Sequence, residues 1–259
     1  MSDQTNKEPT APKVDSTLSK GLRILEVLTT AENGKGVTEI SRELEMTKSN
    51  AFRLLRTLTA LGYAKAMPNK NYCATMKVWQ LGQQLVDQMD LRSLAAPQLK
   101  SLSQLTGETV YLAVRDGLMV IYIDKIESSK PIRSFTPRGG SAPIHCVGTG
   151  KALLAEEYDL LRDQIRDNLV KHTPITITSL KKLDADMSAT RERGYAIDFG
   201  EYRDRIHSYG SVIRLPNGEP VGALGVSVPD VNLEGDREHE ICLAVKQAAE
   251  DVSKSLTGL

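Results

Sequence analysis

The stretch "VTEISRELEMTKSNAFRLLRTLTALG", residues 37–62, carries two helical patterns only two or three residues apart. That short gap limits the fold more than any other feature, because two helices joined so tightly must form a helix-turn-helix corner. Before it, Leu18, Leu22, Leu25 and Leu28 recur at helical spacing, with Ile24 and Val27 broadening the stripe, up to the Gly-containing turn "ENGKG". Thr38 is the expected N-cap of the second helix, with Glu39 in its first turn. Thr47 is the expected N-cap of the third, and Gly62 its left-handed stop. After it, Tyr63–Ala64 and Tyr72–Ala74 flank the turn "MPNKN", which reads as a short hairpin with Lys65 and Lys70 near its tip. Three helices and a basic hairpin make a winged helix-turn-helix.

The third helix divides into two faces. Phe52, Leu55, Leu58 and Leu61, with Leu54, are expected to pack on the first two helices. Ser49, Asn50, Arg53 and Thr57 lie opposite, with Lys48 at the tip. A helix that reads the major groove needs that division. Arg bonds G through O6 and N7, Asn does the same for A, and Ser serves either. Thr47, Lys48, Lys65 and Lys70 suit the phosphate backbone. Net charge over the whole chain is zero, but residues 17–77 hold ten Lys/Arg against five Glu, a net +5 on an otherwise slightly acidic protein. A basic module on an acidic body points to a polyanionic partner for the module alone. The expected DNA-binding set is therefore Thr38, Thr47, Lys48, Ser49, Asn50, Arg53, Arg56, Thr57, Lys65 and Lys70.

Residues 1–16 are polar and read as a disordered tail, and 17–75 form the DNA-binding module. Over 76–92 an apolar face of Val78, Trp79, Leu81, Leu85, Val86 and Met89 suits either a second copy of the chain or the chain's own body, with Trp79 as a packing anchor. From 93 to 259 the pattern is mixed. Hairpins turn at "RDG" and at "PNGEP", with helices near 93–106, 148–156, 158–168, before Gly194 and over 234–256. Hairpins outnumber crossovers, so an α+β fold with a mostly antiparallel sheet and outer helices is expected. Cys73, Cys146 and Cys242 are odd in number and far apart, which suits reduced cytoplasmic thiols. No run reaches the length of a membrane span, so no membrane partner is expected.

"HCVGTGKALLA" offers a small-molecule site. Gly148, Thr149 and Gly150 open a helix whose free N–H groups and positive end suit a carboxylate. It is not a Walker loop, which needs Gly where His145 stands and Ser or Thr where Ala152 stands, so no nucleotide cofactor is expected. Lys151 is expected to pair at the surface. His145, His172, His207 and His239 show no metal-ligand spacing, and no metal is expected; His145 beside Cys146 reads as loop packing. No GxSxG or SxxK motif marks a nucleophile. A small-carboxylate enzyme, with the helical module for assembly only, is the rival reading.

Together "LSKGLRILEVL", "VTEISRELEMTKSNAFRLLRTLTALGY", "YCATMKVWQLG", "PIHCVGTGKALLA", "RGYAIDFGEY" and "GEPVGALGVSVP" resemble the IclR family of bacterial transcription regulators, from about residue 17 to 256. The resemblance implies a winged helix domain, a dimerising linker helix and a GAF-like effector-binding domain. It also implies dimers or tetramers on near-palindromic operators of catabolic or stress genes. It adds Asp198, Ile206, Ser208, Gly225 and Ser227 to the effector pocket. Many relatives have Cys where Ser208 stands, Pro where Val212 stands and Ser where Gly225 stands. The segment 201–209 is unusually charged, with Arg203, Arg205 or His207 free either to meet an anionic effector or to stay in solvent.

Overall fold

The computed structural model describes residues 16–87 and 91–256. The expected tail lies outside them apart from Ser16, as do Met89 and the side chains of Leu85 and Val86. The chain divides into two units, 1–85 and 86–259.

In the first unit, α1 (Ser16–Thr30), α2 (Val37–Glu43) and α3 (Lys48–Ala60) precede a hairpin of β1 (Ala64–Ala66) and β2 (Tyr72–Ala74). A bridge from Lys35 to Tyr72 ties the wing to the turn after α1. The core is Ile24, Leu28, Ile40, Leu44, Ala51, Leu54, Leu55 and Ala64. This corrects two expected stripes. Phe52 and Leu61 are 47% and 55% exposed, as are Leu18 and Leu22 at 64% and 51%. Steps of exactly three drift round a helix of 3.6 residues per turn, whereas Ala51, Leu54, Leu55 and Leu58 stay on one side.

The caps also differ in part. Thr47 does cap α3, its Oγ1 accepting from Asn50 N at 3.3 Å. Thr38 does not cap α2. The helix starts one residue earlier, at Val37, with Gly36 as N-cap, whose N–H donates to Glu39 Oε2 at 2.7 Å. Glu39 reaches back three residues to that amide, and this leaves Thr38 inside the first turn and exposed. Glu45 takes the left-handed residue of the helix-turn-helix corner at φ 50°. Gly62 ends α3 at φ +79°, and Lys77 Nζ donates to the orphan Leu61 carbonyl at 2.8 Å while lying over the Tyr63 ring. One of the ten module cations is thus a helix cap. On α4 (Met76–Asp87), Met76, Trp79 and Leu81 are exposed, Trp79 at 58%, so it is not buried as a packing anchor among the described residues.

The second unit is a six-stranded sheet in the order β5 (Ser141–Pro143), β4 (Met119–Ile126), β3 (Thr109–Asp116), β8 (Pro220–Pro229), β7 (Ile206–Arg214), β6 (Ala196–Asp198). Every pairing among its described residues is antiparallel. The two expected hairpins are β3–β4 and β7–β8, while the short edge strands β5 and β6 gave no sequence signal. On one face, α5 (Leu91–Thr106) and α9 (Arg237–Ser255) cover Leu112, Ile213, Leu224 and Val226. On the other, α6 (Gly148–Glu156), α7 (Tyr158–Arg166) and α8 (Leu180–Arg193) enclose Tyr111, Tyr122, Val212 and Ala223. Among the described residues, no helix is long and apolar enough to cross a membrane.

Candidate functional site

Two places bring the singled-out residues together. The first is α3 and the wing. Lys48, Ser49, Arg53, Arg56 and Thr57 are exposed on α3 and Asn50 is half-buried, while Lys65 and Lys70 are exposed on the wing. Arg53 donates to Asn50 Oδ1 at 3.1 Å, so the two expected base readers are held side by side one turn apart. Asn50 keeps its amide NH2 for an outside acceptor. Thr57 lies exposed on the same face, its hydroxyl donating to the Arg53 carbonyl at 3.1 Å within the helix and keeping its acceptor lone pairs. Lys70 sits in the wing turn at φ 66°, its N–H bonded to the Met67 carbonyl, which aims the side chain outward.

The second place is a cavity between the sheet face and the N-terminus of α6. It is small, with a cavity volume of about 30 Å³. Thr149, Asp198, Ile206, Ser208, Gly225 and Ser227 all line it, so five positions named by resemblance and one named from the helix start converge. Asp198 is buried and fully engaged. Its Oδ1 accepts from Gly200 N at 2.9 Å and Glu201 N at 2.6 Å, and its Oδ2 accepts from Ser208 Oγ at 2.7 Å. Ser208 Oγ in turn accepts from Gly148 N at 2.8 Å. Burial pushes the Asp198 carboxyl up to about 6, against the pull of its hydrogen bonds and of Lys151. Thr149 Oγ1 is buried at the cavity wall beside the Tyr122 hydroxyl, in a geometry that completes no full hydrogen bond, and an under-satisfied buried hydroxyl there is a place for a ligand atom.

The glycines are corrected. Gly148 and Gly150 do not line the cavity. Gly148 gives its N–H to Ser208, and a Cβ on it would stand 2.8 Å from the Ser208 and Tyr209 backbone. A Cβ on Gly150 would stand 2.4 Å from the Ile144 carbonyl oxygen. Both are glycine so that α6 can lie directly on its neighbours. Gly225 makes room in the same way: a side chain there would meet Thr149 Cγ2 at 2.5 Å. The Thr149 side chain therefore fills the space that a side chain at position 225 would occupy.

Lys151 is also corrected. It is 1% exposed, pairs with Glu201 and with Asp186 at 2.9 Å, and donates to the Ile197 carbonyl at 3.0 Å. Burial disfavours its charge, but the two carboxylates outweigh that and hold its pKa above the ordinary value. In the charged segment, Arg203 lines the cavity rim and donates to the Phe135 carbonyl at 2.6 Å, whereas Arg205 turns out to pair with Asp230 at 2.8 Å. His207 stands edge-on to Phe199. Sequence reading missed Tyr111, Tyr122 and Tyr202 on the wall; the first two sit on adjacent strands with ring centroids 4.6 Å apart. Their strand alternation alone did not separate a cavity-facing tyrosine from a core one.

Residues 17–67 match the IclR helix-turn-helix domain, and residues 83–254 match the C-terminal domain of the bacterial transcriptional regulator IclR. The chain is 31% identical over 252 residues to the HTH-type transcriptional repressor AllR of Escherichia coli K12, covering 96% of this chain and 93% of that protein. It is similar to the crystal structure of the Thermotoga maritima IclR at 28% identity and a TM-score of 0.77, over 93% of this chain and 98% of the other. An IclR homolog from Microbacterium hydrocarbonoxydans, complexed with 4-hydroxybenzoate, shares the fold at a TM-score of 0.82 and 20% identity, over 94% and 100% of the two chains.

Proposed function

Because this chain belongs to the IclR family of bacterial transcription regulators, we propose that it binds a near-palindromic operator and responds to a small carboxylated metabolite, so as to control catabolic genes. The observation that carries the DNA reading is the Asn50–Arg53 pair on the solvent face of a helix whose other side is locked in the core. Asn50, Arg53 and Ser49 read bases. Thr38, Thr47, Lys48, Arg56, Thr57, Lys65 and Lys70 hold the backbone. The exposed Met76, Trp79 and Leu81 on α4 suit pairing with a second copy, which places two reading helices on half-sites about 34 Å apart or a multiple of that.

The cavity supports the effector reading. Its small free volume suits a ligand of few atoms, and the under-satisfied Thr149 hydroxyl beside Tyr122, with Arg203 at the rim, suits a carboxylate. Asp198 and Ser208 act as the frame, because their acceptors and donors are taken up within the protein. A protein of this fold holds 4-hydroxybenzoate, a carboxylate, but the reading for this chain rests on its own residues. An effector that binds one arrangement of the oligomer better shifts the operator affinity by that difference.

The test is duplex binding followed by fluorescence anisotropy against the chain's own upstream region and a scrambled duplex. Asn50→Ala and Arg53→Ala each lower discrimination by about 1–3 kcal/mol. Lys65→Ala weakens both duplexes alike and flattens the salt dependence. Equal loss on both duplexes from Arg53→Ala would place base reading elsewhere. For the cavity, Arg203→Ala removes the thermal shift given by small carboxylates in the unmodified chain; an unchanged shift rejects the assignment.

A further inference from the structure

The structure brings His172 to two adjacent metal-ligating side chains, His145 and Cys146, from 26 residues further along the chain. His145 and Cys146 precede α6, and His172 lies in the loop between α7 and α8. One donor atom from each falls within 4.8 Å of the others. We propose that His145, Cys146 and His172 form a binding site for a thiophilic divalent cation of the zinc class, with its fourth position open to water.

Four observations carry this. First, His145 Nε2 stands 3.2 Å from the Val170 carbonyl. A carbonyl only accepts, so Nε2 carries the proton and Nδ1 keeps its lone pair. Binding through Nδ1 retains that bond, and outer-sphere carbonyls orient metal-ligating imidazoles in this way. Second, the His172 backbone is pinned while its side chain is exposed. Its N–H donates to Thr176 Oγ1 at 3.0 Å, and Thr173 and Thr176 bond the carbonyls of Gly200 and Glu201. The ring can therefore turn without moving the loop, and it leaves an entry path from solvent.

Third, the spacing is within reach. Tetrahedral zinc with Zn–N of about 2.0–2.1 Å and Zn–S of about 2.3 Å needs donors roughly 3.5 Å apart. No pair of donors is more than 4.8 Å apart, so closing to roughly 3.5 Å takes at most about 1.3 Å of side-chain adjustment. Fourth, the Lys151 ammonium, five residues along the chain from Cys146, is already neutralised by Glu201 and Asp186. Binding forms a metal–sulfur bond and sends the Cys146 thiol proton to solvent.

The site touches the regulator's pocket through one ring. His172 packs edge-on to Tyr202 with centroids 5.1 Å apart, and Tyr202 lines the cavity. It stands whether or not that cavity takes an effector.

The experiment titrates Co²⁺ into the chelator-stripped full chain and follows the near-ultraviolet thiolate-to-cobalt band. One Co²⁺ per chain is expected, with the band bleached by Zn²⁺ and unmoved by Mg²⁺. Cys146→Ala abolishes the band, Cys73→Ser leaves it intact, and His172→Ala weakens the affinity at least about tenfold. A band absent from the unmodified chain, or one that survives Cys146→Ala, overturns the proposal. So does an unchanged affinity in His172→Ala. His172 is exposed and its loop is pinned by backbone bonds, so that variant folds and decides the matter even if Cys146→Ala does not fold.

Discussion

Replacing Lys151 with Met tests the second unit at its most charged buried point. The ammonium is 1% exposed and holds Glu201, 5% exposed, together with Asp186 and the Ile197 carbonyl. Met has similar length and removes the charge without opening a large cavity. What remains is a buried Glu201 carboxylate with only the Ile177 N–H at 3.3 Å. Removing one partner of a buried pair costs about 3–5 kcal/mol, because the other charge stays desolvated. Asp186 is less affected, since its carboxylate is 19% exposed and Arg193 lies 3.6 Å away. At roughly 2–4 °C per kcal/mol for a unit of this size, Tm falls by about 6–20 °C.

Denaturation followed by far-ultraviolet circular dichroism measures this. Trp79, the sole tryptophan, lies in the first unit, so its emission serves as an internal control. The double variant Lys151→Met/Glu201→Leu recovers about 2–3 kcal/mol of the loss, because it removes the stranded charge. A loss below about 1 kcal/mol for Lys151→Met alone, typical of a surface pair, would refute the reasoning.

Three further outcomes follow from the geometry. Gly225→Ser puts an atom 2.5 Å from Thr149 Cγ2 and 2.9 Å from the Tyr209 carbonyl oxygen and lowers stability by about 1–3 kcal/mol in urea denaturation; Gly225→Ser/Thr149→Ala recovers only part of that, because the backbone contact remains. Asp198, raised to about 6 by burial, makes the native state bind more protons than the unfolded chain above pH ~4. Its contribution therefore falls by up to about 3 kcal/mol as pH rises to 6. Asp198→Asn removes this part of the pH dependence of stability, and an unchanged slope over that window contradicts the assignment. Glu45→Gly relieves a left-handed backbone at φ 50°, and the melting curve of the first unit rises by about 1 kcal/mol of stability.

Much of the fold was legible because its signals are local. Thr47 as a cap, Gly62 and Gly194 as left-handed stops and the two long hairpins need only neighbours within a few residues. The core face of α3 was misjudged by one position, because steps of three and of 3.6 diverge within two turns. The N-cap of α2 went to Gly36 because a carboxylate three residues on bonded its amide. Edge strands β5 and β6 are three residues each and too short to carry a period.

The sequence by itself determined a two-faced reading helix, a cationic wing and an antiparallel sheet, since periodicity, capping and turn chemistry act over short spans of chain. Only the tertiary structure decided that Lys151 is buried, that Gly148 and Gly150 serve packing, and that the Thr149 hydroxyl meets the cavity wall beside Tyr122. It alone brought His145, Cys146 and His172 together. Burial and pairing depend on which distant segments meet, and chain order does not encode the low-dielectric surroundings that make a charge costly or an orphan hydroxyl available.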